Sequence, residues 1–182
     1  VLLLAGLLAG CGGGSRPTGI RAAETPADDV AEYQPRWRSH TVDSTQYRKV
    51  FLAGTIDMGR SSDWQAALVA RFRDSIGGRW LFFNPRRREF HASPAEMEYQ
   101  VAWELAHLEA ADLIVMNLLG DSRSPISLLE MGLYARSGKL FVACSPDYYR
   151  YDNVRITCRR YGVPLYDSLT ALLDDLPQQS DE

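Results

Sequence analysis

Residues 112–139, DLIVMNLLGDSRSPISLLEMGLYARSGK, decide the fold. Leu113 to Leu118 form a short apolar run bounded by Gly120 and Asp121, the pattern of a strand covered on both faces. Ser124 followed by Pro125 predicts an N-cap with proline at the first helical position, and Gly138 with Lys139 marks the helix exit. Ile126, Leu129, Leu133 and Tyr134 fall at core-facing spacing on that helix. Glu130 stands at the edge of the same face, where a charge needs a reason. In an open α/β sheet, segments that follow the carboxyl ends of parallel strands line the ligand crevice. Glu130 is therefore a candidate for chemistry, kept ionised by the positive helix terminus. The alternative is a boundary residue paired with Arg136 or Arg123.

Outward from this stretch, strands and helices alternate. Lys49 to Ala53 predicts a strand ending at Gly54, and the loop TIDMGRSS (residues 55–62) leads to a helix with Trp64, Ala67, Leu68 and Phe72 on one face, capped by Ser62 or Asp63. Gly54 and Asp57 then lie at the carboxyl end of a strand, facing the same crevice as Glu130; for Asp57 the competing reading is a turn residue satisfying local donors. Trp80 to Phe83 predicts a second strand, and Arg86, Arg87 and Arg88 after it read as a solvated loop or an anion clamp. Ser93, Pro94 and Glu96 make a capping box that starts a helix with Met97, Val101, Leu105 and Leu108 as its buried stripe. Gln100, Trp103, Glu104 and His107 recur on an adjoining face. The first three suit a wall against a flat base, while His107 reads as structural. Leu140 to Cys144 and Val163 to Tyr166 are further strands, with helices over residues 154–161 and 168–176. The pattern predicts one doubly wound α/β domain with about five parallel strands, spanning residues 47–176.

A chain of 182 residues buries a core without staples, and its formal charge of -3 argues against a nucleic-acid footprint. No spacing of Cys and His resembles a metal site, and Cys144 and Cys158 read as small core residues rather than a disulfide. The opening VLLLAGLLAGC is apolar, too short to span a bilayer, and turns abruptly polar after Cys11. Leu8, Ala9, Gly10 and Cys11 resemble the lipobox of bacterial lipoproteins, so residues 1–11 read as a signal segment ending at a lipidated Cys11. That resemblance implies a membrane-anchored protein of the cell envelope; the alternative is a translated extension on a cytoplasmic one. Residues 12–46, mixing Gly, Pro, Ala, Asp and Arg, predict a flexible linker, and residues 177–182 a polar tail.

Three segments carry a further resemblance: VFLAGTIDMG (50–59), WELAHLEAADLIV (103–115) and LLEMGLYARSGKLFVACSPDYYRYDNV (128–154). Together they resemble the nucleoside 2-deoxyribosyltransferases, especially their deoxyribosyltransferase-like branch. The resemblance implies a flavodoxin-like fold, no cofactor, and a carboxylate nucleophile that attacks the anomeric carbon of a deoxynucleoside. Glu130, two residues before Gly132, matches that nucleophile, and Glu104, eight residues before Asp112, matches the acid that handles the base. Asn153 matches an asparagine lent across a subunit boundary to the sugar hydroxyl, which implies a homo-oligomer. Phe51 stands where some members have a nucleophile-orienting tyrosine. Ser124, six residues before Glu130, stands where transferases carry a sugar-binding aspartate and the related deoxynucleotide N-hydrolases carry serine.

The implied partners are a deoxynucleoside or deoxynucleotide and a free nucleobase. Cleaving an N-glycosidic bond needs a nucleophile at an oxocarbenium-like centre and a proton for the departing base, roles that an ionised Glu130 and a protonated Glu104 fill. The expected activity is transfer of the deoxyribosyl group to a base or water. The rivals are a 2′-deoxynucleoside 5′-phosphate N-hydrolase and a non-catalytic nucleoside- or nucleotide-binding module.

Overall fold

A computed structural model describes residues 29–75, 78–87, 89 and 93–176. The segment ending at Cys11, linker residues 12–28, Arg88 and the tail from 177 lie outside the described residues.

The apolar run at the centre of the sequence becomes β5 (Leu113–Leu118), all six residues of which are buried. It lies between β3 (Arg48–Gly54) and β6 (Leu140–Cys144), parallel to both. Beyond β3 comes β4 (Trp80–Phe83), and beyond β6 the short β7 (Leu165–Tyr166), again parallel. These five strands have the flavodoxin-like order, in which the chain winds outward in both directions from one switch point, here between β3 and β5. Helices cover both faces. α1 (Trp64–Ser75) and α5 (Leu169–Asp175) pack on one side through Trp64, Leu68, Val69, Phe72, Leu172 and Leu173. α2 (Pro94–Ala110), α3 (Pro125–Tyr134) and α4 (Tyr151–Tyr161) cover the other.

Two further strands extend the sheet where a linker is predicted. β1 (Val30–Gln34) pairs parallel with β4 and turns back into the two-residue antiparallel β2 (Trp37–Arg38). Val30, Ala31 and Tyr33 bury themselves there, an edge too short and too polar to register as a strand pattern. The linker expectation is thus corrected for residues 30–38, and the folded unit starts well before residue 47.

The helix faces also need correction. On α2 only Leu108 is buried, whereas Met97, Val101 and Leu105 of the expected core stripe are exposed. On α3, Ile126, Leu129 and Leu133 point outward, and the residues turned to the sheet are Ser127, Glu130 and Met131. Each helix carries two interleaved stripes of suitable spacing, and the more apolar one is left unpaired on the surface. Cys144 and Cys158 are free, buried thiols whose proton affinities burial pushes up, to about 12 and about 11. Lys139 closes the end of α2, donating from Nζ to the carbonyls of Leu108, Glu109 and Ala111 at 2.7, 3.1 and 2.9 Å.

Candidate active site

The crevice begins where β3 and β5 run closest. Gly54 takes a φ of +122°, and a β-carbon there would stand 2.2 Å from the Asn117 carbonyl oxygen, so only glycine allows this approach. Thr55 follows, fully buried. Its backbone NH donates to Asn117 O at 2.9 Å, its carbonyl accepts from Trp64 Nε1 at 2.8 Å, and its hydroxyl accepts from Leu119 N at 3.1 Å. The chain then passes through three left-handed residues, Asp57, Met58 and Gly59 (φ 48°, 53° and 82°). For the first two this costs on the order of 1–2 kcal/mol each, strain that the surrounding contacts must hold.

Those contacts form a directional chain of hydroxyls. Ser122 Oγ donates to Asp57 Oδ1 at 2.9 Å, so its only proton is committed and it accepts from Ser124 Oγ at 2.8 Å. Ser124 in turn accepts from Thr55 Oγ1 at 2.8 Å. The predicted cap is thereby corrected: Ser124 precedes α3 in a left-handed conformation (φ 40°) and makes no side-chain capping bond, its hydroxyl being drawn into this chain instead. The α2 cap is half of a capping box. Ser93 Oγ accepts from Glu96 N at 3.1 Å, but the Glu96 carboxylate turns away to Arg36 and Arg87.

Glu130, in the second turn of α3, is 8% exposed. Neither predicted arginine pairs with it; Arg136 instead donates to the Tyr161 hydroxyl, and no described residue bonds the Glu130 carboxylate. Burial, and after it the charge of Glu104, raises its pKa to about 8. Burial also raises Glu104, against the pull of a Gln100 hydrogen bond and the Arg87 charge. The expectation that Glu130 is ionised at rest is thus corrected: two turns into a buried helix face, desolvation outweighs the helix terminus. The Glu104 charge is the smaller of the two causes that raise Glu130.

The other predicted residues are dispersed around this pair. Trp103 is half-buried, 6.3 Å from the Phe51 ring and stacked on His107 at 3.9 Å. Burial keeps His107 neutral, and its Nδ1 donates to the Trp103 carbonyl at 2.7 Å. Gln100 spends its amide NH2 on Pro85 O at 3.0 Å and Glu104 Oε1 at 2.6 Å. Asn153 lies elsewhere, exposed on the first turn of α4, where it lines a groove of about 320 Å³ with Leu128, Met131, Arg150 and Thr157; neither carboxylate lines that groove.

One buried residue of α3 was not singled out by the sequence. Ser127 is buried one turn before Glu130 on the same inward face, a relation visible only once the face of α3 is known. Arg87, read as part of a solvated loop or an anion clamp, has a side chain only 9% exposed. Arg86 is likewise buried, donating to Gln65 Oε1, Ser61 Oγ and the Ser61 and Ser62 carbonyls, so neither described arginine of the run is a loop charge in water.

Among the described residues, no cluster of three or more His, Cys, Asp or Glu is placed to hold a metal. Residues 47–148 match the family described as nucleoside 2-deoxyribosyltransferase like. The chain belongs to that family, and its doubly wound sheet is consistent with a flavodoxin-like fold. A search among curated proteins finds no match.

Proposed function

We propose that the protein cleaves the N-glycosidic bond of 2′-deoxynucleosides, with Glu130 as nucleophile and Glu104 as proton donor to the departing base. The observation that carries this reading is a buried Glu130 carboxyl without a partner, electrostatically coupled to a second carboxyl on the facing helix. One proton shared by the pair serves both roles. When it resides on Glu104, Glu130 is free to attack the anomeric carbon as the carbon–nitrogen bond breaks, and the proton leaves with the base. An incoming base or water then displaces Glu130 from the sugar and returns a proton to Glu104. Thr55, Ser122, Ser124 and Asp57 hold the sugar end of the crevice, Gly54 lets β3 and β5 close up beneath it, and Trp103 and Gln100 border the base end.

A hydroxyl rather than a carboxylate at Ser124 favours a second reading, hydrolysis of 2′-deoxynucleoside 5′-phosphates, because it removes a negative charge from the crevice. Incubation with deoxynucleosides, deoxynucleotides and free bases separates these readings. Exchanged nucleoside supports transfer, base released only from the 5′-phosphate supports hydrolysis, and binding without turnover leaves a non-catalytic nucleotide module.

A second copy of the chain is proposed to cover the outward stripes of α2 and α3. Met97, Val101, Leu105, Ile126, Leu129 and Leu133 are all between 42% and 62% exposed, a concentration of large apolar side chains unusual on a monomer's surface. Such a copy offers a route for Asn153 to serve a neighbouring site. Sedimentation is expected to give an oligomer for the wild type and a monomer for Leu129→Asp; a monomeric wild type removes this proposal.

Cys11 is proposed as the lipidated residue of an envelope-anchored protein, on the strength of the apolar run that precedes it. Full-length protein is expected in the membrane fraction and Cys11→Ser in the soluble one; soluble wild type overturns the anchor.

A further inference from the structure

The edge hairpin lies outside the matched span of residues 47–148, yet a continuous set of hydrogen bonds leads from it to Glu104. Glu32 Oε1 on β1 accepts from Asn84 Nδ2 at 2.7 Å, Asn84 N donates to Tyr33 O at 2.9 Å, and Asn84 Oδ1 accepts from Arg86 N at 3.0 Å. The hairpin therefore fixes the backbone of the turn that carries Arg87. Arg36, at the hairpin tip with φ 63°, donates from Nη2 to Glu96 Oε1 at 2.7 Å and lies over the Tyr99 ring at 4.1 Å. Glu96 also accepts from Arg87, at its carboxylate from Nη1 (2.9 Å) and at its backbone carbonyl from Nη2 (2.7 Å). With two of its nitrogens held there, the guanidinium presents Nε to Gln100 Oε1.

That last bond decides the rest. A guanidinium only donates, so the Gln100 oxygen must face Arg87 and the amide nitrogen must face the other way, where it finds Pro85 O and Glu104 Oε1. Glu104 Oε1 is then an acceptor, and a proton carried by Glu104 resides on Oε2. We infer that Arg87, braced by the β1–β2 hairpin through Glu96, is a positioning residue that acts through Gln100 to fix which oxygen of Glu104 carries the transferable proton. This inference rests on the proposed role of Glu104.

The charged groups facing Glu104 among the described residues are Arg87, from the turn after β4, and Glu130, from α3. Loss of Arg87 removes a positive charge and unlocks Gln100, and both changes favour the protonated form of Glu104.

The test is a carboxyl-carbon NMR titration of Glu104 in folded protein, which needs no turnover. Arg87→Met is expected to move the Glu104 midpoint upward by about one pH unit. Arg87→Lys, which keeps the charge but loses the fork, is expected to restore the midpoint only in part. Gln100→Leu, which removes only the link, is expected to move it in the same direction as Arg87→Met and serves if that variant fails to fold. A lowered melting temperature with an unmoved Glu104 midpoint in Arg87→Met, or in Gln100→Leu, means the frame merely braces α2 and overturns the inference. With a turned-over substrate, the pH profile of kcat shifts with the NMR midpoint while KM stays constant. Absence of any turnover beside a shifted midpoint faults the proposed reaction and not the positioning.

Discussion

Glu130→Gln is expected to bind deoxynucleoside about as well as the wild type and to lose turnover by on the order of 10⁴-fold or more. The side chains have nearly the same shape. Because the wild-type group holds a proton at neutral pH, the amide also reproduces its resting charge. No ion pair is broken, since no described residue pairs with Glu130. What the amide lacks is a carboxylate form able to bond the anomeric carbon. Calorimetry for binding and single-turnover base release for chemistry measure the two effects separately. Turnover within tenfold of the wild type means that another group attacks the sugar.

How far the sequence announces this site depends on whether the partners are local. β5 and its neighbours are legible because continuous apolar runs such as Leu113–Leu118 and Leu140–Cys144 fit only strands buried on both faces, and Gly54 and Gly138 punctuate them. The existence of α3 is legible from Pro125, but its orientation is not. Ile126, Leu129 and Leu133 and the set Ser127, Glu130, Met131 and Tyr134 are both spaced as helix faces, and hydropathy favours the set that the fold leaves outside. β1 is missed because three buried residues at a sheet edge leave little periodic signal. The arginines are misread because their partners, the carbonyls of Ser61 and Ser62 for Arg86 and Glu96 and Gln100 for Arg87, come together only in the folded turn. Ser124 has the sequence of a cap but is pulled from it by Thr55 and Ser122, partners on other segments of the crevice. The identity of the carboxylate pair is thus visible in the chain, whereas its protonation follows from burial, a property of the packed molecule.

That protonation has a measurable thermodynamic consequence. In the unfolded chain Glu130 titrates near 4.5, and in the folded protein near 8, so between these values the native state binds the extra proton. Stability therefore falls as pH rises through this window: the native state is unpenalised below about pH 4.5 and fully penalised above about pH 8. At pH 7 the penalty is about 3 kcal/mol, taking about 1.4 kcal/mol for each pH unit above the unfolded value. Glu130→Gln removes the titrating group. Its urea-unfolding free energy is expected to equal that of the wild type at pH 4 and to exceed it by about 3 kcal/mol at pH 7, with the gap widening up to pH 8. Parallel pH profiles for the two proteins place the carboxyl in water-like surroundings and exclude the buried, proton-sharing pair. A carboxyl that only filled space here would be replaced with gain by any neutral group of its size. Retaining an acid that weakens the native state across the neutral range has a physical rationale if the desolvation that raises its pKa also sharpens it as a nucleophile once the proton has moved to Glu104.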